Sequence, residues 1–479
     1  MFDYVIIGAG IIGTSIAKEL SRYETSVLVL EKENDVANHQ TVANSAIIHS
    51  GHDPKEGTLK AKLCVKGNQM YEDLENDFGI PLLKTGAFVV AHNIDQENML
   101  DALYQRGLNN GVKNMKMLSI QEALQEEPNL SPTITKVLSL PSTKVTYPWE
   151  VAFKQLECAI NNGVIFQKNS RVTAIKKVSN HFEITINDKT IIETKSVISA
   201  AGIFSDQIAR MIETNVQYDI KPRKGEYFVL DRKVKGFINH VIYPLPTEKG
   251  KGVLIVPQVH GNILLGPTST TQDEKDLLSN TRVGMDQIKE DTKRLAVNIP
   301  FDQIIRTFAG IRASSSYDDF FIQESKEFKN FFHVAGIDSP GLTAAPAIAK
   351  YLVDEVINHH LTLKKSFNPI IQKHKAFYSL PDDEKQRLYQ EDHRYGNLVC
   401  KCEKITEKEI VDSIHGPLGN DTVKGIKKRA RAGSGLCQGG YCESLVLKII
   451  AKETNQPLPN INYYGLNTPI LVEETKVKK

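Results

Sequence analysis

Tyr4-Val5-Ile6-Ile7-Gly8-Ala9-Gly10-Ile11-Ile12-Gly13 opens the chain, and Ser26-Val27-Leu28-Val29-Leu30-Glu31 follows shortly after. Tyr4 to Ile7 is a run of β-formers. Gly8 to Gly13 is a G-x-G-x-x-G. Ile12, Ile16, Ala17 and Leu20 then fall at helical spacing, and Val27–Leu30 reads as a second buried strand. The whole is a β-turn-α-β unit of about 30 residues. Gly8 permits the tight turn, Gly10 lets a pyrophosphate approach the backbone, and Gly13 lets helix and strand pack closely. The helix N-terminus offers free N–H groups and partial positive charge to phosphates. Glu31 lies 18 positions beyond Gly13 and can accept hydrogen bonds from an adenosine ribose. A glycine motif alone is weak. Strand, helix and acidic residue together make it a dinucleotide site.

The chain has 479 residues, which predicts two or three domains. A net charge of +2 gives no argument for nucleic acid. No apolar run reaches the roughly 18–20 residues of a membrane span. The N-terminal apolar segment is the first strand and lacks a basic leader, so a signal peptide is not expected. Four of the six cysteines fall within 43 residues near the C-terminus, which points to a metal site in a reducing compartment.

Ser196-Val197-Ile198-Ser199-Ala200-Ala201-Gly202 reads as a buried strand ending in small residues, where the chain returns to the first sheet. Gly225–Leu230, Gly252–Pro257 and Asn262–Gly266 read as antiparallel strands roofing a pocket. Helices are expected over 274–296, then a strand over Ile304–Arg312. Phe331–Gly336 is a further buried strand. Asp338-Ser339-Pro340-Gly341-Leu342-Thr343 follows it and opens a helix through Val356. Residues 361–396 carry charge runs and read as a solvated linker. Cys64 and Cys158 lie on apolar helical stripes and read as core. No internal repeats are evident.

These three separated elements resemble the FAD-dependent oxidoreductases of the D-amino-acid oxidase superfamily, over about residues 1–360. Asn44-Ser45-x-x-x-His49-Ser50-Gly51 and Leu59-Lys60-Ala61-Lys62-Leu63-Cys64 resemble two groups within it. One is the bacterial glycerol-3-phosphate dehydrogenases and oxidases, the other the L-2-hydroxyglutarate dehydrogenases. Gly336–Ala344 and Phe308-Ala309-Gly310-Ile311-Arg312-Ala313 favour the first. The implied fold class is α/β. A glutathione-reductase-like, Rossmann-type FAD domain spans about 1–80, 145–215 and 300–360, and an antiparallel-sheet substrate domain spans 81–144 and 216–299. A small α-rich cysteine module is expected over 397–455, with a tail over 456–479.

The resemblance implies that Gly8, Gly10, Gly13, Glu31 and Lys32 hold the ADP half of FAD. Asn44 and Ser45 would lie near the pyrophosphate and flavin, Val172 by the adenine, and Gly202 at the sheet edge. Gly341, Leu342 and Thr343 would border the flavin pyrimidine ring. His49 is the candidate base, because alcohol oxidation needs a hydroxyl proton removed and imidazole titrates near neutrality. The bland alternative is a loop histidine held by backbone hydrogen bonds. Arg312 is the candidate anion clamp, since its planar fork matches phosphate or carboxylate; the alternative is a surface ion pair. Tyr243 and His260 are expected on the roof sheet, within reach of substrate.

Cys400-Lys401-Cys402 and Cys437-Gln438-Gly439-Gly440-Tyr441-Cys442 give C-x-C-x34-C-x4-C. Four thiolates with intervening glycines suit a [2Fe–2S] cluster or structural zinc. The spacing resembles the bacterioferritin-associated-ferredoxin-like [2Fe–2S] domain.

The expected activity is oxidation of a small anionic secondary alcohol, with glycerol 3-phosphate ahead of an L-2-hydroxy acid such as L-2-hydroxyglutarate. An amino-acid dehydrogenase subunit and a non-enzymatic iron–sulfur redox sensor are the other readings. Electrons are expected to pass to an acceptor or partner redox subunit. The expected location is cytoplasmic, with any membrane contact made through a partner.

Overall fold

The computed structural model describes residues 1–246, 252–357, 361–371 and 375–473. The end of the tail, 474–479, lies outside these, as do 358–360 and 372–374 around the start of the linker.

Strand Phe2–Ile7 is buried at four of its six positions. It pairs in parallel with Val27–Leu30 on one side and Thr190–Ser199 on the other. Ile165–Gln167 extends the sheet beyond Val27–Leu30, and Phe331–Ala335 pairs in parallel with the end of Thr190–Ser199. Runs buried on both faces form the interior of a parallel sheet because helices cover each side. The buried strand expected from Ser196 begins earlier, so that Thr190–Ser199 is one strand. Its first half alternates and pairs antiparallel with His181–Ile186. Its last four residues, 196–199, are buried, and the end of this run pairs with Phe331–Ala335. One strand changes neighbours, so its polarity pattern changes midway.

The second sheet has nine strands, with Ile220–Leu230 paired along most of its length to Ile304–Ser315. It is not wholly antiparallel. Val241–Pro244 runs parallel to Ala87–Ala91, because the chain reaches it from a distant segment rather than through a hairpin. Ile304–Ser315 belongs to this sheet by pairing, although the sequence order groups it with the flavin-side segments. The expected helices over 274–296 reduce to Arg282–Lys293, capped by the Thr281 hydroxyl. The residues before it are spent on a turn in which Lys275 pairs with buried Asp206.

Helix Gly341–Tyr351 lies against helix Leu59–Phe78. A side chain at Gly67 would come 2.1 Å from the Thr343 carbonyl oxygen, so glycine sets their approach. Cys64 and Cys158 are fully buried, as their stripes predict.

The linker contains the solvent-facing helix Asp382–Glu391 and is tied to the domains on either side. The Lys364 N–H donates to Arg22 O at 2.8 Å, and the Phe377 N–H donates to Glu409 Oε1 at 2.9 Å. The C-terminal module is a short hairpin with helices Glu407–His415, Val423–Ala430 and Glu443–Thr454 around Ile410, Ile426, Val446 and Ile450. Among the described residues no helix is long and apolar enough to cross a membrane.

Candidate active site and cluster site

A cavity of about 990 Å³ lies between the two sheets, at the upper end of small-molecule sites. The glycine turn forms one part of its wall. Gly8 has φ +105°, and a Cβ there would sit 2.7 Å from Ala200 O. A Cβ at Gly13 would sit 1.9 Å from Gly8 O, so Gly13 packs the turn rather than lining the cavity. Gly10 caps helix Ile11–Leu20 without a side-chain hydrogen bond, and no acidic residue stands in the first turn. This leaves an electropositive helix end beside the cavity.

Glu31 is held by two backbone donors, Ala9 N–H at 2.8 Å and Glu33 N–H at 2.9 Å. Burial raises its pKa, and these two N–H bonds oppose the rise. Each carboxylate oxygen keeps a further lone pair for a ribose hydroxyl. Lys32 lies 3.8 Å over the Phe204 ring. Val172 is buried in the wall, and Gly202 has φ +56° with Gln40 against its open face. Gly341, Leu342, Asn44 and Ser45 also line the cavity.

Thr343 is not in the wall. Its hydroxyl accepts the His49 N–H at 2.9 Å. His49 lines the cavity, and its carbonyl accepts from Asn68 Nδ2 at 3.0 Å. Its Nδ1 lies 3.0 Å from the Tyr243 hydroxyl. Tyr243 is therefore behind His49, not facing the cavity. Burial, with Asp53 and Cys64 nearby, pushes its pKa well above the ordinary value, so the phenol is neutral. His260 does not reach the cavity either. It is exposed at the seam with the C-terminal module, 4.9 Å from the Tyr147 ring centroid. It stands in the turn that joins Leu254–Pro257 to Ile263–Gly266, beyond the end of the ladder, and so does not follow the inward face of either strand.

Arg312 does line the cavity. Its Nη2 donates to Thr268 O at 3.2 Å, and its buried Nη1 has no hydrogen-bond partner among the described residues. Arg223, absent from the sequence expectations, stands directly opposite Arg312 on the neighbouring strand and lines the same cavity. Neither guanidinium has a carboxylate partner among the described residues. Directly opposed like charges repel, so a bound anion would relieve both. Two positions along the same face, Gly225 faces Gly310; two further, Tyr227 faces Phe308, with rings 4.5 Å apart and 7° from parallel. A Cβ at Gly310 would sit 1.9 Å from Ala43 O, so the glycine seats the Ala43–Ser45 loop on the strand. The Tyr227 hydroxyl lies 3.2 Å from Ser45 Oγ. The period-two series Arg223, Gly225, Tyr227 was the available signal, but it needs the strand's start and inward face to be known.

Cys402 Sγ and Cys437 Sγ are 3.7 Å apart and half-buried, while Cys400 and Cys442 are buried in the module core. No three of the four sulfurs lie within 4.8 Å of one another. A tetrahedral zinc site with Zn–S of about 2.3 Å would bring all four within roughly 3.8 Å. The two-plus-two arrangement fits a two-iron cluster better. Gly435 and Gly439 make the wrap possible: a Cβ at Gly435 would meet Cys402 Cβ at 2.4 Å, and Gly439 has φ +104°.

Glycine turn, ribose acceptor and cavity between two sheets fit FAD, and together they define a flavin-dependent redox protein. A model described as FAD dependent oxidoreductase matches residues 3–355, and one described as BFD-like [2Fe-2S] binding domain matches 398–452. The chain belongs to the FAD-dependent oxidoreductase family and carries a C-terminal [2Fe–2S]-binding domain. A glycerol 3-phosphate dehydrogenase of Caloramator mitchellensis is 41% identical, with 99% of each chain covered. A glycerol 3-phosphate oxidase of Mycoplasma genitalium is 35% identical over 77% of this chain and 97% of its own. The structure of FAD-bound L-α-glycerophosphate oxidase from Mycoplasma pneumoniae matches with a TM-score of 0.75 at 30% identity, covering 78% of this chain and 99% of that one.

Proposed function

We propose that the chain oxidises sn-glycerol 3-phosphate to dihydroxyacetone phosphate. The observation that carries this reading is the Arg223–Arg312 pair lining the cavity that His49 also lines. Two adjacent cations without acidic partners suit one doubly charged group, a phosphate, more than two carboxylates set apart. FAD, when bound, supplies the acceptor for the hydride that leaves the carbinol carbon. His49 takes the hydroxyl proton. With Nδ1–H donating to the neutral Tyr243 oxygen, the Nε2 lone pair is the base. Thr343 and Asn68 hold the backbone on either side of that ring, so the base is set before substrate arrives. The N-terminus of helix Gly341–Tyr351, at the cavity wall, favours negative charge there.

Anaerobic mixing with glycerol 3-phosphate should bleach the flavin absorbance far faster than L-2-hydroxyglutarate or amino acids. Faster bleaching by any of those would replace this reading. Arg223→Gln should raise KM for glycerol 3-phosphate by about 10-fold or more with a smaller change in kcat, because the anion contact is made in ground and transition states alike. An unchanged KM would remove Arg223 from the anion seat.

Cys400, Cys402, Cys437 and Cys442 are proposed to hold the cluster, with Cys402 and Cys437 on the side where a redox partner collects electrons. Cys437→Ser should abolish the cluster's visible absorption after anaerobic reconstitution. Stoichiometric zinc without iron in the wild-type protein would instead make the module structural.

A further inference from the structure

Helix Val423–Ala430 ends within seven residues of Cys437, and its last turn carries Lys427, Lys428 and Arg429. Lys428 is buried away from solvent, its side chain 4% exposed. Its ammonium meets Asp35 Oδ2 at 2.6 Å, Asn38 Oδ1 at 2.7 Å and Val36 O at 3.0 Å. All three of its protons thus have acceptors, and all three acceptors lie on one loop of the flavin domain. Arg429 grips the same Asp35 with both terminal nitrogens, at 2.9 and 2.7 Å. Burial alone would raise the Asp35 pKa, but Arg429 and Lys428 more than offset it and hold the carboxyl well below its usual range. Behind this grip the Trp149 indole donates to Lys428 O at 3.1 Å, and Arg429 lies 4.2 Å over the Phe153 ring.

The gripped loop leads straight to the cofactor cavity. Ala37 and Asn38 line it, and the Ala37 N–H donates to Ala9 O, inside the glycine turn, at 3.1 Å. The module also reaches the cavity by a second route. After helix Glu443–Thr454 the chain folds back, and the Lys424 N–H donates to Tyr463 O at 2.8 Å. Gly465 and Leu466 then enter the cavity wall beside Glu33.

The same C-terminal end of the helix runs into the cysteine loop. Lys427 Nζ donates to the Gln438 side chain at 3.0 Å, next to Cys437. Arg431 joins Glu403, next to Cys402, at 3.0 Å, and the Tyr147 hydroxyl of the flavin domain at 2.7 Å. Arg431 and Gln438 are both in the left-handed region, at φ 66° and 48°, as are Gly433 and Gly439. Arg431 and Gln438 are not glycines and are strained there, so a metal crosslink at the cysteines would help to hold the loop in shape.

We propose that the cysteine module is a wall of the FAD site. Lys428 acts as the positioning residue for the Asp35–Asn38 loop and Leu466 as a cavity contact, so that the cluster's presence sets how tightly FAD is held. Iron loss would loosen the cysteine loop, then the helix end that carries Lys428, then the loop bonded to the glycine turn. The inference concerns the cofactor end and stands apart from the identity of the substrate.

The test reads FAD retention in the full-length protein, independently of turnover. In Lys428→Met the FAD dissociation constant, measured by recovery of free-flavin fluorescence, should rise about 10-fold or more while iron content stays that of the wild type. Chelator removal of iron from the wild-type protein should raise it comparably. Coupling of two binding equilibria is reciprocal, so FAD-saturated protein should retain more iron against a fixed chelator concentration than FAD-stripped protein. Should Lys428→Met fail to fold, Arg429→Gln and the iron-depleted wild type carry the test. A dissociation constant within about threefold of wild type after iron removal overturns the proposal, as does equal iron retention with and without FAD.

Discussion

His49→Ala lowers the rate constant for substrate-driven flavin reduction by about 10² to 10⁴-fold, the range for loss of a general base, while FAD stays bound. The imidazole lines the cavity, and three contacts set its position without involving any residue of the glycine turn: Thr343 Oγ1 on its N–H, Asn68 on its carbonyl and the Tyr243 hydroxyl on Nδ1. Removing the ring therefore takes away the base and leaves the nucleotide end as it was. The rate should be measured anaerobically by stopped flow, with FAD content checked by absorbance. Tyr243→Phe is the companion. It keeps the ring packing and deletes the oxygen that orients Nδ1, so the loss should be smaller than for His49→Ala, and the pH–rate profile should shift. If His49→Ala bleaches at the wild-type rate, the proton leaves to another group and His49 is only a structural loop residue.

Gly13→Val yields protein without FAD and with a lowered melting temperature. The reason is geometric. A Cβ at this position would lie 1.9 Å from Gly8 O, which is backbone and cannot move aside as a side chain can. The helix would have to withdraw from the turn. Gly8 is itself confined, at φ +105° with Ala200 O 2.7 Å from where its Cβ would be. The displacement therefore passes to the backbone that faces the pyrophosphate. Overpacking of a tight contact costs about 1–3 kcal/mol or more when the neighbour is rigid. Stoichiometric FAD in purified Gly13→Val, with an unchanged melting temperature, would show that the turn has room the geometry denies. Gly10 differs. Its nearest neighbour to an added Cβ is the Thr41 hydroxyl at 3.3 Å, so a small side chain there is opposed by the ligand and not by the fold.

Residue order alone determined the parts of this protein that depend on neighbours in sequence. The glycine turn, its flanking strands and Glu31 were legible from 28 consecutive residues, Tyr4 to Glu31, because each acts through local backbone geometry. The cysteine module was legible because its cysteines fall in two close pairs, Cys400 with Cys402 and Cys437 with Cys442. His49 and Arg312 were reached through resemblance, and both line the one cavity. What lay beyond the sequence were roles set by partners far along the chain. Tyr243 and Thr343 look like wall residues in a linear reading, yet they stand behind His49, which they meet from 194 and 294 positions away. His260, expected on the roof sheet, stands in the turn between two of its strands, at the module seam. Arg223 gained its meaning only from the register that sets it opposite Arg312. Asp35 and Lys428 are separated by nearly the whole chain and make one buried pair. Side chains cross a cavity or a domain seam over a few ångströms, and only the tertiary fold decides which distant segments come that near.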